Sequence, residues 1–235
     1  MGFMFDGGDA TEPNSANVIR HNVSENNGSE TQEGGMLVTG GEASIEIYNN
    51  TVYTPSSVPV LMSAESDHGV GPFDVHLHNN VLISHRFPVV RALPGPYSGL
   101  RLENNAYFDV GEPPSYELDW MGEYFGPGDA EVIASWSALT GQEQVGGSPA
   151  HRTGDPVFIA PIGSGGQVFP APLSELAAYR LQLTPPSPLV GAGMNLMIPP
   201  QSLDIGARDF FATPISWTVR CGPDIGAHQA RMACP

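Results

Sequence analysis

Basic residues are scarce in this chain. Lys and Arg number 9 against 25 Asp and Glu, a formal net charge of −16. Such a chain repels nucleic acid and anionic membrane, so neither is expected as a partner. A polyanionic substrate would need local Arg or a bound cation to offset that field. Long apolar runs are missing too: no stretch of about 18 apolar residues occurs, and no membrane-spanning helix is expected. Cysteine is confined to Cys221 and Cys234. They either clip the C-terminal tail in an oxidising compartment or stay as two free thiols, and their spacing does not suggest zinc. The opening MGFMFDGG has no basic region and is too short to be a signal peptide. A Gly-rich phosphate loop, a G-x-S-x-G elbow and an H-E-x-x-H motif are all absent.

Charged residues make up only 14% of the chain, which disfavours long solvated helices, while 28 Gly and 23 Pro suit many short strands joined by turns. The apolar fraction of 40% argues against disorder. One phrase recurs: NVIRHNV at 17–23, IEIYNNTV at 45–52, VHLHNNVL at 75–82 and LRLENNAY at 100–107. Aligned on Asn22, Asn50, Asn80 and Asn105, the intervals are 28, 30 and 25 residues. A short alternating strand at a period of 25–30 residues marks a repeat architecture. A second, more apolar strand precedes each: GFMFDGG (2–8), GGMLVTGG (34–41), VPVLMSA (58–64) and FPVVRAL (87–93).

Coils of this length with an amide at one corner are expected to stack as a right-handed parallel β-helix, a solenoid. Asn tolerates the left-handed conformation of a tight corner. Asn residues one coil apart, about 4.8 Å, can form an amide ladder. N-x-S/T triplets begin at Asn22, Asn27 and Asn49, and the two in the asparagine stretch of the repeat, at Asn22 and Asn49, are therefore read as structural rather than as glycan acceptors. The fold class is all-β, with an irregular C-terminal region containing one short helix. Residues 1–110 hold the coils, and 111–235 form further coils and a capping region on the same solenoid. The helix is expected at roughly 129–140, with Asp129 as N-cap, Val132, Ile133, Trp136 and Leu139 as its apolar stripe and Gly141 just past its end.

The C-terminal half carries Trp136 to Glu143 (W-x-A-L-T-G-Q-E), Asp155 to Phe158 (D-P-x-F), Arg180 to Gly193, and a D-I-G-A echo at Asp204 to Ala207 and Asp224 to Ala227. With the NN coils before them, these pieces resemble bacterial right-handed parallel β-helix proteins of the pectate-lyase-like superfamily, over nearly the whole chain. The resemblance implies a carbohydrate-active protein, secreted in its native setting. It does not choose among lyases, hydrolases, esterases, epimerases and non-catalytic adhesins. Relatives carry further coils before a segment like GFMFDGG. The chain thus looks truncated at its N-terminus, with any signal peptide missing from it. A homodimer through the exposed first coil, around Phe3, Met4 and Phe5, stays open.

If Ile19, Ile47, Leu77 and Leu102 point inward, two outward columns follow: Val18–Glu46–His76–Arg101 and Arg20–Tyr48–His78–Glu103. All but Val18 can titrate or form strong hydrogen bonds. Glu46, His76, His78 and Glu103 are the candidate catalytic residues, with Arg20, Tyr48 and Arg101 to bind a polysaccharide. Glu46 and Glu103 have Cα atoms on the order of 12 Å apart by strand spacing, and their carboxyls could approach the range of inverting glycosidases. For β-elimination, His76 or His78 would take the proton and Tyr48 or Arg101 would assist. The plainer reading is a polar outer face facing water, with modest cross-coil pairing.

A second candidate site lies on loops beside the apolar strands: Asp6, Asp9, Glu65, Asp67, His68 and Arg91. There the stacking places Asp6 and Thr39 in one column with Ser63 and Ala92, and Arg91 two coils after Val38. An ordinary acidic turn explains the same residues. No cofactor is required by any motif, and Ca²⁺ bound by Asp6, Asp9 or Asp67 stays open. The leading expectation is polysaccharide cleavage, hydrolysis ahead of β-elimination because so acidic a chain attracts polyuronates poorly. The alternative is a non-catalytic carbohydrate-binding or adhesin module, or a truncated remnant.

Overall fold

A computed structural model of the chain describes residues 3–7, 17–25, 27, 34–40, 43–63, 73–159, 182–215 and 222–230. Its strands come in triplets, one per coil. The first coil holds β1 (Phe3–Gly7), β2 (Asn17–Arg20) and β3 (Val23–Glu25), and the second β4 (Met36–Gly40), β5 (Ala43–Tyr48) and β6 (Thr51–Thr54). The third holds β7 (Val60–Ser63), β8 (Phe73–His78) and β9 (Val81–Ser84), and the fourth β10 (Val90–Ala92), β11 (Arg101–Glu103) and β12 (Ala106–Asp109). Corresponding strands pair in parallel to give three sheets, so the chain is a parallel β-solenoid, as the repeat spacing predicts. The first sheet closes on β13 (Tyr116–Trp120) and an antiparallel partner, β14 (Glu123–Gly128). A hairpin at the end of the row takes up hydrogen bonds that the last parallel strand would leave open.

The interior follows from the period-2 alternation. Ile45, Ile47, Val75, Leu77 and Leu102 are buried with Val38, Met62, Val90 and Ala92 from the facing sheet. Among the described residues there is one helix, α1 (Glu131–Thr140), which lies close to where the sequence places it and adds Ile133 and Trp136 to this core. The N-cap position falls on Ala130, one residue later than expected and without a side-chain cap; Asp129 Oδ1 still accepts the Glu131 N–H at 2.9 Å, and Gly141 ends the helix at φ 74°, a conformation open to glycine. Leu139 departs from expectation: it is 76% exposed, because the helix meets the core along a narrow edge.

The inner Asn of each corner builds the ladder. Asn22 Nδ2 donates to Asn50 Oδ1 at 3.1 Å, Asn50 to Asn80 at 3.0 Å and Asn80 to Asn105 at 2.9 Å. The outer residues, His21, Asn49, Asn79 and Asn104, have φ between 52° and 57°. That left-handed turn throws their side chains outward onto the C-terminal segment. Asn49 Nδ2 donates to Asp224 O and Asn79 Nδ2 to Met194 O, both at 2.9 Å, and Asn104 Nδ2 to Ala192 O at 3.1 Å. His21 Nε2 lies 3.0 Å from Ile205 O. Each NN pair thus has two tasks, stacking the coils and holding the strap that covers them. The D-I-G-A echo belongs to the strap: Ile205 meets the corner of the first coil and Asp224 that of the second. At Gly226 (φ 104°) an added Cβ would lie 2.8 Å from Val81 Cγ2, so only glycine lets the strap approach this closely.

The register corrects one expectation at the second candidate site. Asp6, Thr39 and Ser63 do share a column, but Ala92 aligns with Met62, and Arg91 with Leu61 and Leu37. Val38, Met62 and Ala92 all point into the core, and a slip of one residue would turn them outward.

Candidate functional site

Both predicted outward columns exist. Val18, Glu46, His76 and Arg101 are successive register partners, as are Arg20, Tyr48, His78 and Glu103. Four of these side chains converge. Glu46 Oε1 lies 2.9 Å from His76 Nδ1, and Glu46 Oε2 lies 3.3 Å from His78 Nε2. On its other side, His78 Nδ1 faces Glu103 Oε2 at 3.3 Å. The His76 and His78 rings meet edge to face with centroids 5.7 Å apart.

The expectation that both columns face water holds for one of them only. Residues 194–205 lie over the second, where Tyr48 packs with Leu196 and Ile205. Tyr48 is fully buried and His78 is 1% exposed. The Tyr48 hydroxyl donates to Asp204 O, and Arg20 donates to the same carbonyl and pairs with the Asp204 carboxylate at 3.2 Å. Arg20 and Tyr48 therefore anchor the strap. Glu46, His76 and Glu103 keep about a fifth of their side-chain surface open, and Arg101 is exposed.

Asp74 completes the group and was missed by the sequence reading. Its Oδ1 lies 3.3 Å from His76 Nε2, and its Oδ2 accepts the Ser44 hydroxyl at 2.8 Å. The signal was in plain view: DVHLH places Asp74, His76 and His78 at alternate positions, on one face of the strand. Gln201, at 3.4 Å from Glu103 Oε2, was beyond sequence reasoning, since it arrives from the strap. Beside Glu103 a cleft of about 270 Å³ opens between the strap and the 145–146 turn, lined by Met194, Ile198, Gln201 and Val145 among others.

The electrostatics are those of a shared-charge cluster. Burial opposes ionisation of Glu46, but the two imidazoles hold its pKa down to about 2. Burial pulls His78 down, and the flanking carboxylates of Glu103 and Glu46 outweigh it and hold the group above its ordinary value. His78 likewise lowers the pKa of Glu103. Glu46 and Glu103 are therefore carboxylates, with a buried imidazole filling the space between them.

Of the second candidate site, only the Arg91 side chain lies among the described residues. Arg91 pairs with Asp119, 3.1 Å from Nε to Oδ2. The Asp6 side chain, Asp9, Glu65, Asp67 and His68 lie outside the described residues, as do Cys221 and Cys234. Comparison of the chain with protein-family models, with curated proteins and with solved structures finds no match.

Proposed function

We propose that this chain is a carbohydrate-active β-solenoid that cleaves a polysaccharide, hydrolysis being favoured over β-elimination. Its resemblance to the pectate-lyase-like superfamily supports the substrate class. The observation that carries the reaction is the Glu46–His76–Asp74 row on an open sheet face. His76, held at Nδ1 by Glu46, turns Nε2 toward Asp74 and the surface. An imidazole so oriented can exchange a proton with a water or a leaving oxygen on the open face, while Asp74, in contact at 3.3 Å, holds the ring in place and is too close to serve as the separate water-activating carboxylate of a glycosidase. Glu46 and Glu103 do not supply the acid in this scheme, because a glycosidase acid needs a raised pKa and both are lowered. Arg101, next to His76 across the strands, is placed to hold a sugar hydroxyl or carboxylate, and the cleft beside Glu103 offers a neighbouring subsite.

The competing reading is a non-catalytic carbohydrate-binding module. It is favoured by the way these side chains already pair with one another. Incubation with a panel of neutral and acidic polysaccharides, following both reducing ends and ultraviolet absorbance of unsaturated sugars, separates the cases. Reducing ends alone, lost in His76→Ala, support hydrolysis. Unsaturated products would reassign His76 as the base of a lyase. Binding without any product would establish the non-catalytic module.

A further inference from the structure

We infer that Glu46, His76 and His78 form a binding site for one divalent transition-metal ion of the zinc class. One ligand atom from each residue can be chosen so that all lie within 4.8 Å of one another. Glu46 Oε1 to His76 Nδ1 is 2.9 Å and Glu46 Oε2 to His78 Nε2 is 3.3 Å. A tetrahedral site with bonds of roughly 2.0 Å has edges of roughly 3.3 Å, so each histidine nitrogen already lies at coordination spacing from one of the two Glu46 oxygens.

Independent support comes from His78. Its ring is buried, and neither nitrogen has a partner in hydrogen-bonding alignment, although each faces a carboxylate oxygen. Glu46 Oε2 is also buried without an aligned donor. Unpaired buried polar atoms are costly, and a cation between them would satisfy both.

The surroundings match what metal-bound histidines require. A ligating imidazole usually donates its other N–H to a carboxylate, which fixes its tautomer and orientation. With the metal on His76 Nδ1 and His78 Nε2, the free nitrogens are His76 Nε2, 3.3 Å from Asp74, and His78 Nδ1, 3.3 Å from Glu103. Both histidines thus have the outer carboxylate in place. Three carboxylates around two imidazoles also concentrate negative charge that a dication offsets. Two nitrogen donors and one oxygen select zinc, cobalt, nickel or iron over Ca²⁺ or Mg²⁺. Three protein ligands leave a coordination position free toward the exposed side. The inference is tested without substrate, so its failure is distinct from that of the polysaccharide reading; an ion bound at His76 Nδ1 and Glu46 would replace the His76–Glu46 contact used there.

The full chain, stripped with EDTA and dialysed, is titrated with Zn²⁺ by calorimetry and with Co²⁺ by visible absorption. The expected result is one equivalent bound, with a Co²⁺ ligand-field spectrum of nitrogen and oxygen donors. His76→Ala and Glu46→Gln should weaken Zn²⁺ by at least about a hundredfold, and Asp74→Asn by roughly 10- to 100-fold. Asp74 is largely exposed, so this last variant tests the site without touching the core. Circular dichroism confirms that each variant folds. Absence of stoichiometric Zn²⁺ and Co²⁺ binding overturns the inference. So does Zn²⁺ binding unchanged in the three variants, or binding of Ca²⁺ alone.

Discussion

Asn105 passes the asparagine ladder to Glu143. Its Nδ2 donates to Glu143 Oε1 at 2.7 Å and its backbone N–H to Oε2 at 2.9 Å, while the Tyr107 hydroxyl donates to Oε1 at 2.6 Å. An amide ladder must end somewhere, and here the next residue in line is a fully buried carboxyl just beyond α1. Burial pushes its pKa up to about 7, against the pull of the three donors. The end of the stack is therefore a polar terminus inside the protein, closed over by the helix.

Glu143 makes stability depend on pH in a defined direction. Its folded pKa, about 7, stands above the ordinary 4.5, so the folded chain holds this proton more tightly. That contribution is complete below pH 4.5 and is lost as pH rises through 7, amounting to about 3 kcal/mol. Denaturant midpoints measured between pH 5 and 8 should fall with pH in the native chain. The fall should be smaller in Glu143→Gln, which lacks the titrating group. Asp224, pushed up to about 6 by burial, contributes with the same sign in both proteins and cancels in the comparison.

The ladder should be weakest when broken in its middle. The Asn80 side chain donates to Ile47 O and Asn105 Oδ1, and accepts from Asn50 Nδ2 and the Asn50 backbone N–H. Asn80→Ala leaves these partners buried and unpaired, a loss of about 3 kcal/mol. Asn22→Ala, at the partly exposed end, should cost about 1 kcal/mol. Equal losses in urea unfolding would show that the ladder is not a cooperative element.

The two histidines of the site should separate stability from activity. His78 is buried between two carboxylates, so His78→Ala leaves a cavity and two facing negative charges and should destabilise by about 3 kcal/mol. His76→Ala, with about a fifth of its side chain open to solvent, should destabilise less than His78→Ala, by roughly 1 kcal/mol, and abolish any polysaccharide cleavage. Thermal unfolding and product formation, measured on both variants, check the split.

The strap should loosen without Tyr48. Tyr48→Phe removes the hydroxyl that donates to Asp204 O and should cost about 1 kcal/mol. Hydrogen exchange in residues 194–205 should rise several-fold while β5 and β8 stay protected. Unchanged exchange would place the anchoring elsewhere, in Arg20 or the outer asparagines.

The coil spacing, the parallel register of the Asn columns and both side-chain columns were legible from the sequence. All of them follow from local alternation with period 2 and from a repeat of 25–30 residues. The register of Ala92 was misjudged by one position because β10 (Val90–Ala92) is only three residues long and the loops of unequal length around it carry no register. Asp74 was overlooked although the alternating pattern included it. Leu139 was assigned to the core on helical spacing alone, which cannot say how wide a strip the helix buries.

What the sequence determined by itself is the winding: a repeating strand and a corner asparagine suffice, since each coil reads only its neighbours. What the tertiary structure decided is which face meets water and where the stack ends. Asn79 meets Met194 across 115 residues, and Asn105 meets Glu143 across 38. Contacts of that range leave no period in the chain, so the burial of His78, the strap over Tyr48 and the carboxyl that closes the ladder emerge only when the coils and the C-terminal segment pack together.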